Sequence, residues 1–161
     1  MERTSHQLIA VSVIAVGFVT LLAGACSGAG EVPDPEPLPE DANFEAVWYS
    51  DQFKHMYLQQ DGDQVEGVYA YRDGGRLEGE VDGNLLIFEW EEPGDKQSAR
   101  RTMKGRGYLQ LTVEDDQPRL DGEWGYKEEV TGGGPWEAEF IREFDADSDP
   151  LTIDEIDEKG D

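Results

Sequence analysis

Few side chains in this chain are of a type that could do covalent chemistry. Cys26 is the single cysteine, so an intramolecular disulfide is impossible. The histidines are His6 and His55, and His6 lies in an N-terminal segment typical of an export signal that is removed. With His55 alone remaining, a site built from several histidines is excluded, and no serine stands in a Gly-x-Ser-x-Gly turn. We therefore expect a protein that is not an enzyme and has no cofactor.

One acidic pattern begins like a calcium-binding loop. It starts at Asp145 and places acids at alternate positions, Asp147 and Asp149. A functional loop needs glycine at its sixth position and a bidentate acid at its twelfth, and this chain has Pro150 and Ile156 there. The loop is broken at both demanding positions, so we expect no metal site.

Basic residues are concentrated in the run from Lys96 to Arg106, which contains no acid. One interpretation is charge pairing across a hairpin with acids of the preceding strand. The other is a basic arm that contacts an anionic partner, such as a glycan, a phosphate-bearing polymer or an acidic protein face. The candidate residues are Lys96, Arg100, Arg101, Lys104 and Arg106.

Aromatic residues are the remaining candidates for a site. Tyr69, Trp90, Trp124 and Trp136 can line a ligand-binding lumen, because aromatic side chains combine large apolar faces with a polar group. They can equally fill the core, which a domain of ~100 residues without disulfides needs. Both interpretations remain open at the level of sequence.

The elements that must position these residues are short strands between residues 44 and 144. Turn-forming stretches such as Asp73-Gly74-Gly75 and Asp82-Gly83-Asn84 separate them, and apolar residues alternate with acids along each run. This pattern predicts an all-β fold, an antiparallel up-and-down meander closed into an eight-stranded barrel, with no helix except the signal peptide. The expected strands are 44–50, 54–60, 64–72, 76–82, 84–92, 100–114, 119–126 and 136–144.

Glycine recurs within these strands in the unit apolar-x-Gly-x-(aromatic or Val). It occurs at Val65–Tyr69, Leu77–Val81 and Leu120–Trp124, where glycine on a concave face makes room for an aromatic neighbour. In this pattern residues 44–144 resemble the small meander barrels of the avidin-like and lipocalin-like families. The resemblance implies the fold, and no binding-site motif of either family maps onto this chain residue by residue.

The N-terminus combines a polar start with one arginine, an apolar run over Leu8–Leu22 and small residues up to Ala25, as in an export signal spanning residues 1–25. Leu21-Leu22-Ala23-Gly24-Ala25-Cys26 resembles the lipobox of bacterial lipoproteins. The resemblance implies that Cys26 carries acyl chains and becomes the mature N-terminus. Where the sorting rule of enteric lipoproteins applies, Ser27 favours the outer membrane over the inner one.

Two further segments flank the domain. Residues 26–43 contain the lipid-bearing cysteine and an acidic, proline-rich tether, whose proline part spans on the order of 30 Å when extended. Residues 145–161 are predicted to be an acidic, mostly disordered tail, in which Leu151, Ile153 and Ile156 can dock one turn on the barrel.

The net charge of −24 excludes nucleic acid as a partner and disfavours anionic lipid head groups. We therefore expect a non-enzymatic envelope lipoprotein that acts as a membrane-tethered binding or interaction module, attached through acyl chains on Cys26. The alternative is a carrier that holds a small apolar ligand in the barrel lumen. The open partner classes are an envelope protein, a glycan and a small apolar ligand.

Overall fold

Eight antiparallel strands close into a barrel in sequential order, so the predicted fold is confirmed. The structure is a computed structural model that describes residues 30–94 and 99–158, without the side chains of residues 157 and 158. The signal segment, Cys26 and Lys96 lie outside the described residues. The elements are β1 (Ala46–Ser50), β2 (Lys54–Asp61), β3 (Gln64–Tyr69), β4 (Gly75–Asp82), β5 (Leu85–Glu92), β6 (Met103–Glu114), β7 (Gln117–Tyr126), β8 (Gly134–Arg142) and α1 (Ile153–Glu158).

Every predicted strand is present, with each boundary within three residues of its expected position. Closure comes from the pairing of β1 with β8, which places Trp48 opposite Phe140. One feature departs from the prediction. The expectation of no helix beyond the signal is wrong for the six-residue helix α1 in the acidic tail.

The barrel interior is filled by side chains from alternate positions of the strands. Along β5 the inward residues Leu86, Phe88 and Trp90 are buried, whereas Glu89 between them is exposed. This is the predicted arrangement of apolar residues inside and acids outside. The largest fully buried side chains are Trp48, Trp136, Tyr69, Phe44 and Phe88.

The two ends of the barrel differ. We call the end with the β1–β2, β3–β4, β5–β6 and β7–β8 connections the mouth, and the opposite end the base. The base is closed by the chain that leads into β1, because Phe44 is fully buried and Leu38 and Ala42 pack against the core. The mouth therefore remains the end at which the interior can meet a ligand.

The tether is held against the barrel over its described part. Glu36 and Asn84 are joined reciprocally: the backbone N–H of Glu36 donates to Asn84 Oδ1 at 2.9 Å, and the N–H of Asn84 donates to the Glu36 carbonyl at 2.8 Å. Gly30 lies against the carboxylate of Glu123 on the outside of β7. The described part of the tether thus lies on the outer face of the barrel at Gly30 and reaches the base at Glu36.

The tail returns along the opposite side of the barrel. Arg142 donates two hydrogen bonds of 2.6 Å to the carboxylate of Asp149, which is buried. Farther on, Ile153 lies against Gly74 in the β3–β4 connection, and α1 packs on β3. This packing accounts for the burial of Val68, which is on the outward face of β3.

Candidate functional site

The four predicted aromatic residues come together at the mouth. Tyr69, Trp90 and Trp136 are buried and Trp124 is half-buried, and all of them line one cavity of about 70 Å³. We call this cavity the mouth pocket. Its lining also includes Phe53, Tyr71, Glu92 and Tyr126, with Gln52, Arg72 and Met103.

The rings of the pocket meet mostly edge to face. The pair of Phe53 and Trp136 is the exception, since these rings stack with centroids 3.7 Å apart and an angle of 21°. On the other side, Trp124 stands at 84° to Trp90 and at 81° to Tyr126. Rings at near right angles form walls rather than a continuous stack, so the cavity is boxed in by aromatic surfaces.

Hydrogen bonding separates the structural tryptophans from the one that can serve a ligand. The indole N–H of Trp48 donates to the Phe44 carbonyl, and that of Trp136 lies 3.1 Å from the sulfur of Met56. Trp90 donates to two backbone carbonyls, each at 3.2 Å. Trp124 Nε1 is buried without a hydrogen-bond partner among the described residues. A buried unpaired donor is costly, which marks Trp124 as a candidate contact for a ligand.

The hydroxyl of Tyr69 is a second unpaired polar group. Tyr69 is fully buried, and its ring lies directly over Gly75, where any Cβ would clash with the ring. Its hydroxyl has no hydrogen-bond partner among the described residues. Burial, with a smaller contribution from the charge of Glu92, raises the pKa of Tyr69 well above its ordinary value. The hydroxyl therefore stays protonated and can both donate and accept a hydrogen bond.

Glu92 is the acid of this site, and the sequence analysis did not select it as a site residue. It continues the inward series of β5 after Trp90 and is only 7% exposed. Burial raises its pKa, against the opposing effect of the charges of Arg72 and Arg100. The parity of β5 could have identified it, because Glu92 falls on the same face as Phe88 and Trp90.

Two arginines at the mouth have partners other than Glu92, although Nε of Arg100 is buried without one. The guanidinium of Arg72 lies 4.7 Å from the ring centroid of Tyr71. Arg100 forms an ion pair with Asp73 and donates to the Pro93 carbonyl at 3.0 Å. Neither arginine forms a hydrogen bond with Glu92 in the described structure.

The rest of the predicted basic arm divides between pairing and exposure. Lys104 forms an ion pair with Glu91 at 2.5 Å, as the hairpin interpretation expected, and Arg106 stands opposite Glu89 in the register. Arg101 is exposed. Of the described residues of this run, Arg100 and Arg101 lie in the β5–β6 connection, and Lys104 and Arg106 lie on β6.

Comparison with known proteins gives no match to a family model, a curated protein or a solved structure. Over the described ranges, no group of three or more His, Cys, Asp or Glu side chains is placed to hold a metal ion. In the same ranges, none of the helical structure has the length and apolar character needed to cross a bilayer.

His55 is not part of the mouth pocket. It is exposed on the outward face of β2, where its ring packs on Tyr49 with centroids 5.3 Å apart. The mouth pocket combines aromatic faces with Glu92, which is 7% exposed, the buried hydroxyl of Tyr69 and the buried indole N–H of Trp124. A few convergent polar groups in an apolar concavity are the usual composition of a small-molecule site.

Proposed function

We propose that this protein is a lipid-anchored envelope protein that acts as a non-catalytic binding module, and that it binds through the mouth pocket. One observation carries the proposal. In an interior otherwise filled by apolar side chains, the hydroxyl of Tyr69 and the indole N–H of Trp124 are buried without hydrogen-bond partners among the described residues. Both line the same pocket as Glu92, which is 7% exposed. An apolar residue at either position would avoid the cost of desolvation. A ligand that forms hydrogen bonds with these polar groups would account for their presence in the pocket.

The filled interior favours a binding module over a carrier that encloses a small apolar ligand in the barrel lumen. Pockets that enclose a drug-sized ligand usually have volumes of roughly 300–1,000 Å³. The mouth pocket has about 70 Å³, and the layer below it is occupied by Trp136, Phe88 and Met56. The available space suits the end group of a ligand or partner rather than a whole apolar molecule.

Membrane attachment is proposed through acyl chains on Cys26, in the outer membrane rather than the inner one. Cys26 precedes Gly30 by four residues, which span at most about 14 Å. Gly30 lies against Glu123, whose carboxylate accepts a 3.3 Å hydrogen bond from Gly132 in the β7–β8 connection of the mouth. The docked tether therefore supports an arrangement in which the mouth side of the barrel stays close to the bilayer.

The anchor is tested by metabolic labelling with a radioactive fatty acid in a bacterial host. Cys26→Ser is the matched control, because it removes the thiol and leaves the rest of the chain unchanged. We expect label on the wild-type chain and none on the variant. Label retained by Cys26→Ser would refute attachment at this residue.

The binding role is tested by native mass spectrometry on protein purified from its own envelope. Wild type is compared with Glu92→Gln at the mouth and with Glu91→Gln on the outer face of the same strand. We expect an adduct or a bound partner on wild type and Glu91→Gln, and its loss from Glu92→Gln. A bare wild-type protein, or an adduct that Glu92→Gln keeps, would contradict the proposal.

A further inference from the structure

We propose that the mouth pocket binds an alkylammonium head group, with the aromatic rings around it and the carboxylate of Glu92 as its counter-ion. The inference rests on the proposed function and adds the chemical class of the ligand. Its evidence is the shape of the pocket, the arrangement of its rings and the pairing of the charges around it.

The volume of the pocket limits what can enter. The cavity of about 70 Å³ is several times smaller than the roughly 300–1,000 Å³ of sites that enclose a drug-sized ligand, so it suits a small group. An ammonium group with small alkyl substituents is such a group. The remainder of a larger ligand then stays outside the mouth.

The rings provide the surfaces that an alkylammonium ion prefers. The ring of Trp124 is inclined at 84° to Trp90 and at 81° to Tyr126, and Trp90 is inclined at 66° to Tyr126. The ring centroids in these pairs are 4.9–6.1 Å apart. The face of an aromatic ring is negative, and boxes of such rings are a common means of recognising quaternary ammonium groups. Tryptophan gives the strongest attraction of this kind, and two of these three rings are tryptophans.

The charges around the pocket select a cation over an anion. Glu92 is 7% exposed and forms no hydrogen bond among the described residues. Arg72 also contacts the ring of Tyr71, Arg100 also pairs with Asp73, and the charges of both arginines act on Glu92. A bound cation would add a counter-ion in contact with Glu92. The net charge of −24 also attracts cations toward the protein and repels anions.

The same arrangement makes binding depend on pH. Burial raises the pKa of Glu92, and a protonated Glu92 is no counter-ion, so affinity falls as the pH drops through that pKa. The titratable and charged groups that face Glu92 are those of Tyr69, Tyr71, Arg72 and Arg100. Tyr69 stays neutral because burial raises its own pKa.

The test uses the full mature chain carrying Cys26→Ser, titrated with choline chloride and followed by tryptophan fluorescence. The matched ligand is 3,3-dimethylbutan-1-ol, the neutral isostere of choline, which has the same shape without the charge. We expect choline to bind about tenfold more tightly than the isostere, and Glu92→Gln to weaken choline about tenfold. Glu91→Gln, on the outer face, should leave choline affinity within about twofold.

Two results would refute the alkylammonium class but not the mouth pocket as a binding site. In the first, choline and its neutral isostere bind equally well. In the second, Glu92→Gln does not change the affinity for choline. If choline does not bind while the native adduct of the mouth is present, the class is also wrong and the binding module stands. If choline does not bind and wild type also carries no native adduct, the proposed function fails as well. Thermal unfolding of each variant confirms that it is folded.

Vesicles separate the two sources of an alkylammonium group. The same unacylated chain is sedimented with phosphatidylcholine vesicles and with phosphatidylglycerol vesicles. Choline-competed binding to phosphatidylcholine alone supports a lipid head group as the ligand. Binding of choline in solution without vesicle binding supports a free small cation, and a preference for phosphatidylglycerol contradicts the proposal.

Discussion

Neighbouring acids on β5 should affect stability in opposite directions. Glu91 and Glu92 are adjacent in the chain, but Glu91 is on the outer face and Glu92 is turned into the barrel. Hydrogen bonding to Lys104 lowers the pKa of Glu91, and burial raises the pKa of Glu92. We therefore expect Glu92→Gln to stabilise the protein at neutral pH and Glu91→Gln to destabilise it slightly.

The magnitudes follow from the surroundings of the two groups. Leaving a buried polar group without partners costs about 1–3 kcal/mol, and more when the group is charged. Nearby Arg72 and Arg100 offset part of this cost at Glu92, and the glutamine amide keeps some of it. We expect a gain of about 1 kcal/mol, which raises Tm by roughly 4–8 °C in a domain of this size. The exposed ion pair of Glu91 is worth about 0.2–1 kcal/mol.

The pH dependence gives each change its own signature. Because the folded-state pKa of Glu92 is raised, its cost is absent below the unfolded-state pKa and appears as the pH rises through the folded-state value. The pKa of Glu91 is lowered, so its contribution is present above the unfolded-state pKa and is lost as the pH falls through the folded-state value. Both variants should therefore converge on wild type in acid.

The assay is urea unfolding of wild type and both variants between about pH 4 and pH 8, followed by tryptophan fluorescence. Equal m-values would show that the variants differ in stability and not in the compactness of the end states. The reasoning is refuted if Glu92→Gln is less stable than wild type at neutral pH. In that case the attraction of Arg72 and Arg100 outweighs the cost of burying Glu92.

Three further substitutions test the packing around the site. Phe53→Ala should cost about 3–5 kcal/mol in urea unfolding, because Phe53 is 4% exposed and stacks on the floor of the mouth pocket; a cost below about 1 kcal/mol would contradict this packing. Asn84→Ala should cost about 1–3 kcal/mol and speed hydrogen exchange at Glu36, since the buried amide holds the tether; unchanged exchange would show that the tether is held elsewhere. Arg142→Ala should cost about 1.5–3 kcal/mol and speed exchange in α1, because it removes both hydrogen bonds to Asp149; protection kept in α1 would show that its apolar contacts suffice.

The fold was predictable because its signals are local. Turns such as Asp82-Gly83-Asn84 depend on residues that tolerate positive φ, and Gly83 has a φ of 56°. The period-two alternation then determines which face of each strand is buried. The sequence predicted that one turn of the tail can dock on the barrel but not that this segment is helical, because the six residues of α1 are too few to show a helical period.

The sequence predicted the aromatic residues of the candidate site, but not which of them have hydrogen-bond partners. The sequence analysis selected Tyr69, Trp90, Trp124 and Trp136, and the structure brings all of them to one pocket. Their hydrogen bonds depend on carbonyl groups that are distant in sequence. The indole N–H of Trp90, for example, donates to the carbonyl of Gly125, which is 35 residues away. Strand parity places Glu92 on the inward face with Phe88 and Trp90, but only the closed barrel shows that this position at the end of β5 is 7% exposed.

The sequence by itself determined the strand order, the turns, the apolar character of the inward-facing side chains and the similarity of the N-terminus to a lipoprotein signal. Each of these is set by residues next to one another or at alternate positions in the chain. Only the tertiary structure decided that the tether lies along the barrel, that the base is closed and that the mouth holds a buried acid. Those features depend on contacts between segments as far apart as Glu36 and Asn84, 48 residues, and on the barrel closure that removes Glu92 from water.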